Sequence, residues 1–158
     1  MRNPSTRVNK LLLVVASSAF LWLGGCANEA LEQSDIVSLT GMQEVPPVST
    51  SAKGTGQIMV LPDRSVSGTI TTAGMVATAA HIHAAAAGKN GPVIVPLIKT
   101  SDNAWIVPAG VKLTETQYAA YQAGGLYVNV HSAGNPGGEI RGQLLPAQVA
   151  RPASRSSY

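Results

Sequence analysis

From about residue 36 to residue 146 the chain is cut every ten residues or so by glycine or proline, and between the cuts it runs in short stretches rich in valine, isoleucine and threonine. Helices of ordinary length do not survive such punctuation, whereas strands of five to eight residues do. Eight stretches read as strands: "IVSLTGM", "GTGQIMVLP", "SVSGTITTA", "TAAHIHAA", "PVIVPLIK", "AWIVP", "GLYVNVHS" and "GEIRGQLL". Eight short strands in this length predict an all-β domain, a sandwich or a small barrel around one core. One segment differs. In "LTETQYAAYQAGG", Thr114 stands three residues before Gln117, the capping-box spacing, and good helix formers lead to a terminal glycine pair. This predicts one short helix over 114–123, with Tyr118 and Tyr121 on one face as packing residues.

The two ends read differently from the domain. Residues 1–10 carry Arg2, Arg7 and Lys10 with no acid, and they lead into "LLLVVASSAFLWLGG", too short for a comfortable membrane span. Residues 1–25 read as a secretory signal. The run closes on "LGGC", which resembles a lipobox cleaved before a lipid-modified cysteine, with Gly24 departing from the usual Ala, Ser or Thr. Cys26 is the only cysteine, so it forms no internal disulfide, and lipid attachment is its most economical role. The alternative is an ordinary signal cut elsewhere that leaves a free thiol, a liability in an oxidising compartment. Ala27 after the cysteine resembles the outer-membrane address of enteric lipoproteins. The expected layout is therefore a signal at 1–25, a lipidated tether at 26–35, a domain at 36–146 and a frayed tail at 147–158. The expected location is the cell envelope, held to the membrane through Cys26.

Without the leader, the eight remaining lysines and arginines balance eight acids. A chain near neutrality gives no electrostatic case for nucleic acid or for an acidic partner. No Gly-x-Ser-x-Gly elbow and no phosphate-cradling glycine loop appears, and nothing singles out a pair among the dispersed carboxylates.

The chemistry that stands out lies in three histidines, His81, His83 and His131, confined to two segments. Side chains alternate across a strand. In "AHIH" the apolar member is Ile82, which sends His81 and His83 away from the core. In "GLYVNVHS" the apolar set Leu126, Val128 and Val130 sends Tyr127, Asn129 and His131 the same way. Two imidazoles at i and i+2, joined by a third from a neighbouring strand, can converge on one ion, and three imidazoles without thiolate suit copper or an open zinc site. The bland alternative is that the histidines merely donate to loop carbonyls. Further along, "SAGNPGGEIRG" has the composition of a tight turn. Behind it Glu139 and Arg141 share one strand face. They read either as support for the site, with Glu139 orienting a histidine, Arg141 guiding an anion and Asn129 beside them, or as a ladder pair at a strand start.

Three stretches, "LTGMQEVPPVSTSAKGTG", "AAHIHAAAAGKNGPVIVPL" and "YVNVHSAGNPGGEIRGQL", together resemble the CHRD domain, a module found in chordin and in many bacterial secreted proteins. The resemblance implies a β-sandwich outside the cytoplasm and no settled activity. A second likeness is to the copper-zinc superoxide dismutases, through "HIH" on a strand, a later "VH" and a glycine-rich turn before the last strand. It implies an antiparallel Greek-key β-sandwich or barrel, with His81 and His83 as paired copper ligands and His131 as the late one. The chain departs from that pattern in lacking a bridging histidine, a zinc loop and a disulfide. It also places Glu139 where the dismutases have the arginine, with Arg141 two places on. Two functions follow: a non-catalytic envelope lipoprotein that binds a partner or supports the envelope, or a copper-binding protein, dismutase-like in its further form.

Overall fold

A computed structural model describes residues 36–146. The leader, Cys26, the tether and the tail therefore lie outside the described residues. Nine strands, one α-helix and a short 3-10 turn (Gly41–Gln43) make up the domain: β1 (Ile36–Thr40), β2 (Lys53–Val60), β3 (Val66–Ala73), β4 (Ala77–Ala84), β5 (Val93–Pro96), β6 (Ile98–Ser101), β7 (Ala104–Ile106), α1 (Glu115–Gln122), β8 (Leu126–Ser132) and β9 (Ile140–Leu144). All pairings are antiparallel, in the order β5-β4-β8-β9-β1-β2-β3-β7-β6. The two ends of this order, β5 and β6, follow one another in the chain, so the sheet curls into a nearly closed barrel. The all-β expectation holds, and with it the antiparallel barrel.

One expected strand is two. "PVIVPLIK" breaks at Leu97, between β5 on one end of the sheet and β6 on the other. Leu97 turns into the core, and its N–H donates to the Ala80 carbonyl at 2.9 Å, carrying the pairing with β4 one residue past Pro96. Pro96, opposite His81, has no N–H to give that ladder, and the pairing with β4 closes one residue later on the Leu97 bond.

Alternation builds the interior as the sequence predicts. Val37 and Leu39 of β1, Ile70 of β3, Ile82 of β4, Val128 and Val130 of β8 are all buried in one cluster. The helix forms where its cap is written. Gln117 N–H donates to Thr114 Oγ1 at 3.2 Å, while Thr114 N–H donates to Gln117 Oε1 at 2.8 Å. Tyr121 is buried in the core cluster and Tyr118 packs against it, so the tyrosine pair is structural.

The barrel depends on side-chain burial far more than on the helix cap. Ile70→Ala is expected to cost about 2–5 kcal/mol, and Thr114→Ala about 1 kcal/mol. Urea unfolding checks both: the two midpoints should fall in that ratio with little change in the slope.

Candidate metal centre

Register places the outward side chains of β4, β8 and β9 in rows. His81 lies opposite Asn129, which lies opposite Arg141; His83 lies opposite Tyr127, which lies opposite Gln143; Ala79 lies opposite His131. The three histidines do share the face turned away from the core. That face is not open to solvent, however: every residue of β8 is buried, the outward ones included. Three loops cover it. Residues 41–52 bring Glu44 onto Asn129, whose Nδ2 donates to Glu44 Oε2 at 3.4 Å. Residues 85–92 are tied across to that segment by Asn90 Nδ2 donating to the Val45 carbonyl at 2.7 Å. Residues 133–139 close the last side.

Loop carbonyls set the proton on two of the rings. His83 Nδ1 lies 2.9 Å from the Gly91 carbonyl, and His131 Nδ1 lies 3.0 Å from the Pro136 carbonyl. A carbonyl oxygen only accepts, so in both rings Nδ1 carries the hydrogen and Nε2 keeps a bare lone pair. His131 Nε2 accepts from His81 Nδ1–H at 2.9 Å, so the metal-free His81 carries its hydrogen on Nδ1 and offers that atom to an ion only after the hydrogen moves to Nε2. His83 Nε2 is buried with no hydrogen-bond partner at all. One ligand atom from each ring falls within 4.8 Å of the others. Two nitrogens held ~2.0 Å from one ion at right angles would lie ~2.8 Å apart, so the close His81–His131 pair already has the spacing of one edge of a coordination shell.

All three imidazoles are held below the usual histidine range near 6.5. Burial is the main cause in each. For His81 the neighbouring His131 and His83 add to it. For His83 the Gly91 hydrogen bond opposes burial and Arg141 reinforces it. For His131 the Pro136 hydrogen bond opposes burial and His83 reinforces it. Neutral rings at pH 7 are the state in which imidazole binds metal.

The residues expected to support the site occupy different stations. Asn129 sits at the centre of the face, opposite His81. Glu139 bonds to Thr50 Oγ1 at 2.8 Å and also to Ser132 and Asn135, contacts that hold its carboxyl below the usual range, chiefly through Ser132. It thus pins the 133–139 loop, and reaches His131 only through the Pro136 carbonyl. Arg141 is 1% exposed, with its Cζ 3.4 Å from the centroid of the Tyr127 ring. Tyr127 in turn stacks on His83, centroids 4.8 Å apart and planes 13° from parallel. Arg141 is therefore one ring removed from the histidines, with a surface cavity of about 410 Å³ on its flank walled by Met42, Glu44, Val45 and Pro47.

Sequence reasoning missed Glu44 and the stacking role of Tyr127. An acid inside "GMQEVPPV" was a signal for the first, since a charge in an apolar, proline-bracketed segment is costly unless it is docked on something. Gly138 also matters here. Its φ is +134°, and a Cβ on it would stand 2.5 Å from the Asn129 amide and 2.8 Å from Glu44 Oε1, so only glycine lets the loop lie down on this face.

The CHRD domain matches residues 36–144, most of the chain. This protein belongs to the CHRD domain family. No curated protein and no solved structure matches it. The matched span includes every residue of the histidine cluster and the three loops that cover it, so the cluster is part of the CHRD domain of this chain rather than an appendage to it.

Burial pushes the Glu44 carboxyl from its ordinary 4.5 up to about 7, against the lowering effects of Arg141, the Val45 N–H and Asn129. A raised acid binds its proton more tightly folded than unfolded. Its contribution to stability is complete below about pH 4.5 and is lost as pH rises through about 7. Glu44→Gln is expected to remove that loss, on the order of 3 kcal/mol, while the depressed histidines, which destabilise on the acid side of 6.5, act equally on both proteins. Urea midpoints from pH 5 to 8 check it: the gap between variant and wild type should grow in favour of the variant as pH rises.

Proposed function

We propose that this CHRD protein is a non-catalytic, lipid-anchored component of the cell envelope that binds one copper ion through His81 Nδ1, His83 Nε2 and His131 Nε2. The observation that carries the copper reading is His83 Nε2, a buried lone pair with no partner on a ring fixed by the Gly91 carbonyl. A buried acceptor left empty costs about 1–3 kcal/mol, and an ion bound there would remove that cost. Neutral imidazoles without thiolate favour copper over the other divalent first-row metals. The likeness to copper-zinc superoxide dismutases agrees with the same three ligands. Turnover of superoxide is not part of the proposal, because Arg141 is 1% exposed behind Tyr127 and is not presented to an anion in solvent.

A second reading keeps the domain as a partner-binding or supporting module in which the histidines only pin loops. The Nδ1 contacts of His83 and His131 to Gly91 and Pro136 favour it. Attachment of either kind of module to the membrane rests on Cys26 and the leader before it.

Copper titration of the full chain followed by EPR separates the readings. The copper reading predicts one Cu(II) per chain with nitrogen hyperfine structure, lost in each of His81→Ala, His83→Ala and His131→Ala while the fold survives. It also predicts a rise in melting temperature with copper for wild type alone. Binding indifferent to the three substitutions, with His83→Ala lowering stability equally in copper and in chelator, would establish the second reading. Cys26→Ala should release the protein from the membrane fraction on either.

A further inference from the structure

We propose that Arg141 makes the three-histidine centre favour the singly charged cuprous ion over Cu(II) and Zn(II); this rests on the copper reading above. Arg141 is 1% exposed, and among the described residues no carboxylate oxygen lies within 4.0 Å of it; the ion pairs join Lys99 to Asp102 and Lys112 to Asp63. Its N–H groups go instead to neutral acceptors: Asn90 Oδ1 at 3.4 Å, the Ala86 carbonyl at 3.3 Å and Gln143 Oε1 at 3.2 Å. These contacts fix the guanidinium without cancelling its charge. A buried cation with no carboxylate in contact is costly, so its position calls for an explanation beyond packing.

The explanation lies in the column it begins. β8 stands between β9 and β4, so Arg141 and His83 flank Tyr127 from opposite sides. The guanidinium is 3.4 Å from the Tyr127 centroid and the His83 ring is 4.8 Å beyond. The positive charge is thus held within about 10 Å of an ion at His83 Nε2, across an aromatic ring and not across water, where screening is weak. A fixed positive charge opposes any bound cation. It opposes a dication by one charge unit more than a monocation. At that separation and an effective dielectric near 20, the extra unit corresponds to roughly a tenfold bias. The ligand set points the same way. Among the described residues the cluster comprises His81, His83 and His131 with no fourth histidine, cysteine or carboxylate. A closed-shell d¹⁰ Cu(I) ion is content with three ligands, whereas Cu(II) seeks four or more.

Glu44 is the group that could cancel the charge, since its carboxyl feels Arg141 from across Asn129. It therefore provides a second variant acting in the opposite sense.

The test measures the dissociation constants of the full chain for Cu(I), anaerobically with ascorbate and a cuprous chelator in competition, and for Cu(II) against a cupric chelator, both at pH 8. Arg141→Gln should shift the ratio toward Cu(II) by roughly tenfold, and Arg141→Lys, which keeps the charge, should restore the wild-type ratio. Glu44→Gln should shift it toward Cu(I), and decides the matter if Arg141→Gln does not fold. Wild type that binds copper with a ratio unmoved by Arg141→Gln, or moved as far by Arg141→Lys, overturns the role of Arg141 and leaves the site standing. Wild type that binds neither ion overturns the copper reading and this inference together.

Discussion

The organisation of the domain turns on one strand that has no exposed side. β8 lays Val128 and Val130 into the barrel core, and on its other side it carries Tyr127, Asn129 and His131, equally withdrawn from water. An apolar face needs only other apolar groups. A polar face removed from solvent needs a partner for each donor and acceptor, or the fold loses about 1–3 kcal/mol per orphan. Residues 41–52, 85–92 and 133–139 supply those partners. They clamp Glu44 on Asn129, the Gly91 carbonyl on His83 and the Pro136 carbonyl on His131. They stop short at Asn129 Oδ1, Glu44 Oε1 and His83 Nε2, and the last of these is a ring lone pair within reach of the other two histidines.

Seen this way, the glycines and prolines of the loops are structural requirements of the site. Gly138 lies flat on Asn129 and Glu44 because it has no Cβ. Gly91 does the same against the Ala84 carbonyl, where a Cβ would stand 2.0 Å away, and it offers its carbonyl to His83 while its N–H donates to the Tyr127 hydroxyl at 3.2 Å. One residue thus holds both rings of the stack. The Arg141–Tyr127–His83 column and the loop carbonyls fix the rings of His83 and His131 before any ion arrives, and His81 alone has to move its hydrogen when one binds.

Much of this was legible in the chain. Alternation around Ile82 and around Leu126, Val128 and Val130 put the three histidines on one face, and Thr114 with Gln117 announced the helix. Two things were not legible, for a common reason: each depends on contacts between segments far apart in sequence. The break at Leu97 is invisible locally, because "VIVPLIK" is a continuous apolar run, and only closure of the barrel forces its halves to opposite ends of the sheet. The cover over the histidine face is invisible because alternation tells which way a side chain points and not what lies above it. Arg141 lies on β9 while Glu139 lies in the loop just before it, and their partners, Tyr127 for the first and Thr50 for the second, come from other strands and loops.

Loop carbonyls hold His83 and His131 with the hydrogen on Nδ1 and leave their Nε2 lone pairs for a metal. Long-range ¹H–¹⁵N correlation spectra of the imidazoles, taken on the metal-free protein at pH 7 and again after adding one equivalent of Cu(I), test it most directly. Expected are neutral rings, Nδ1–H on both His83 and His131, and large shifts of Nε2 in those two rings and of Nδ1 in His81 on addition of the ion. Nε2–H on His83 in the metal-free protein, or ring nitrogens that do not move with Cu(I), would contradict it.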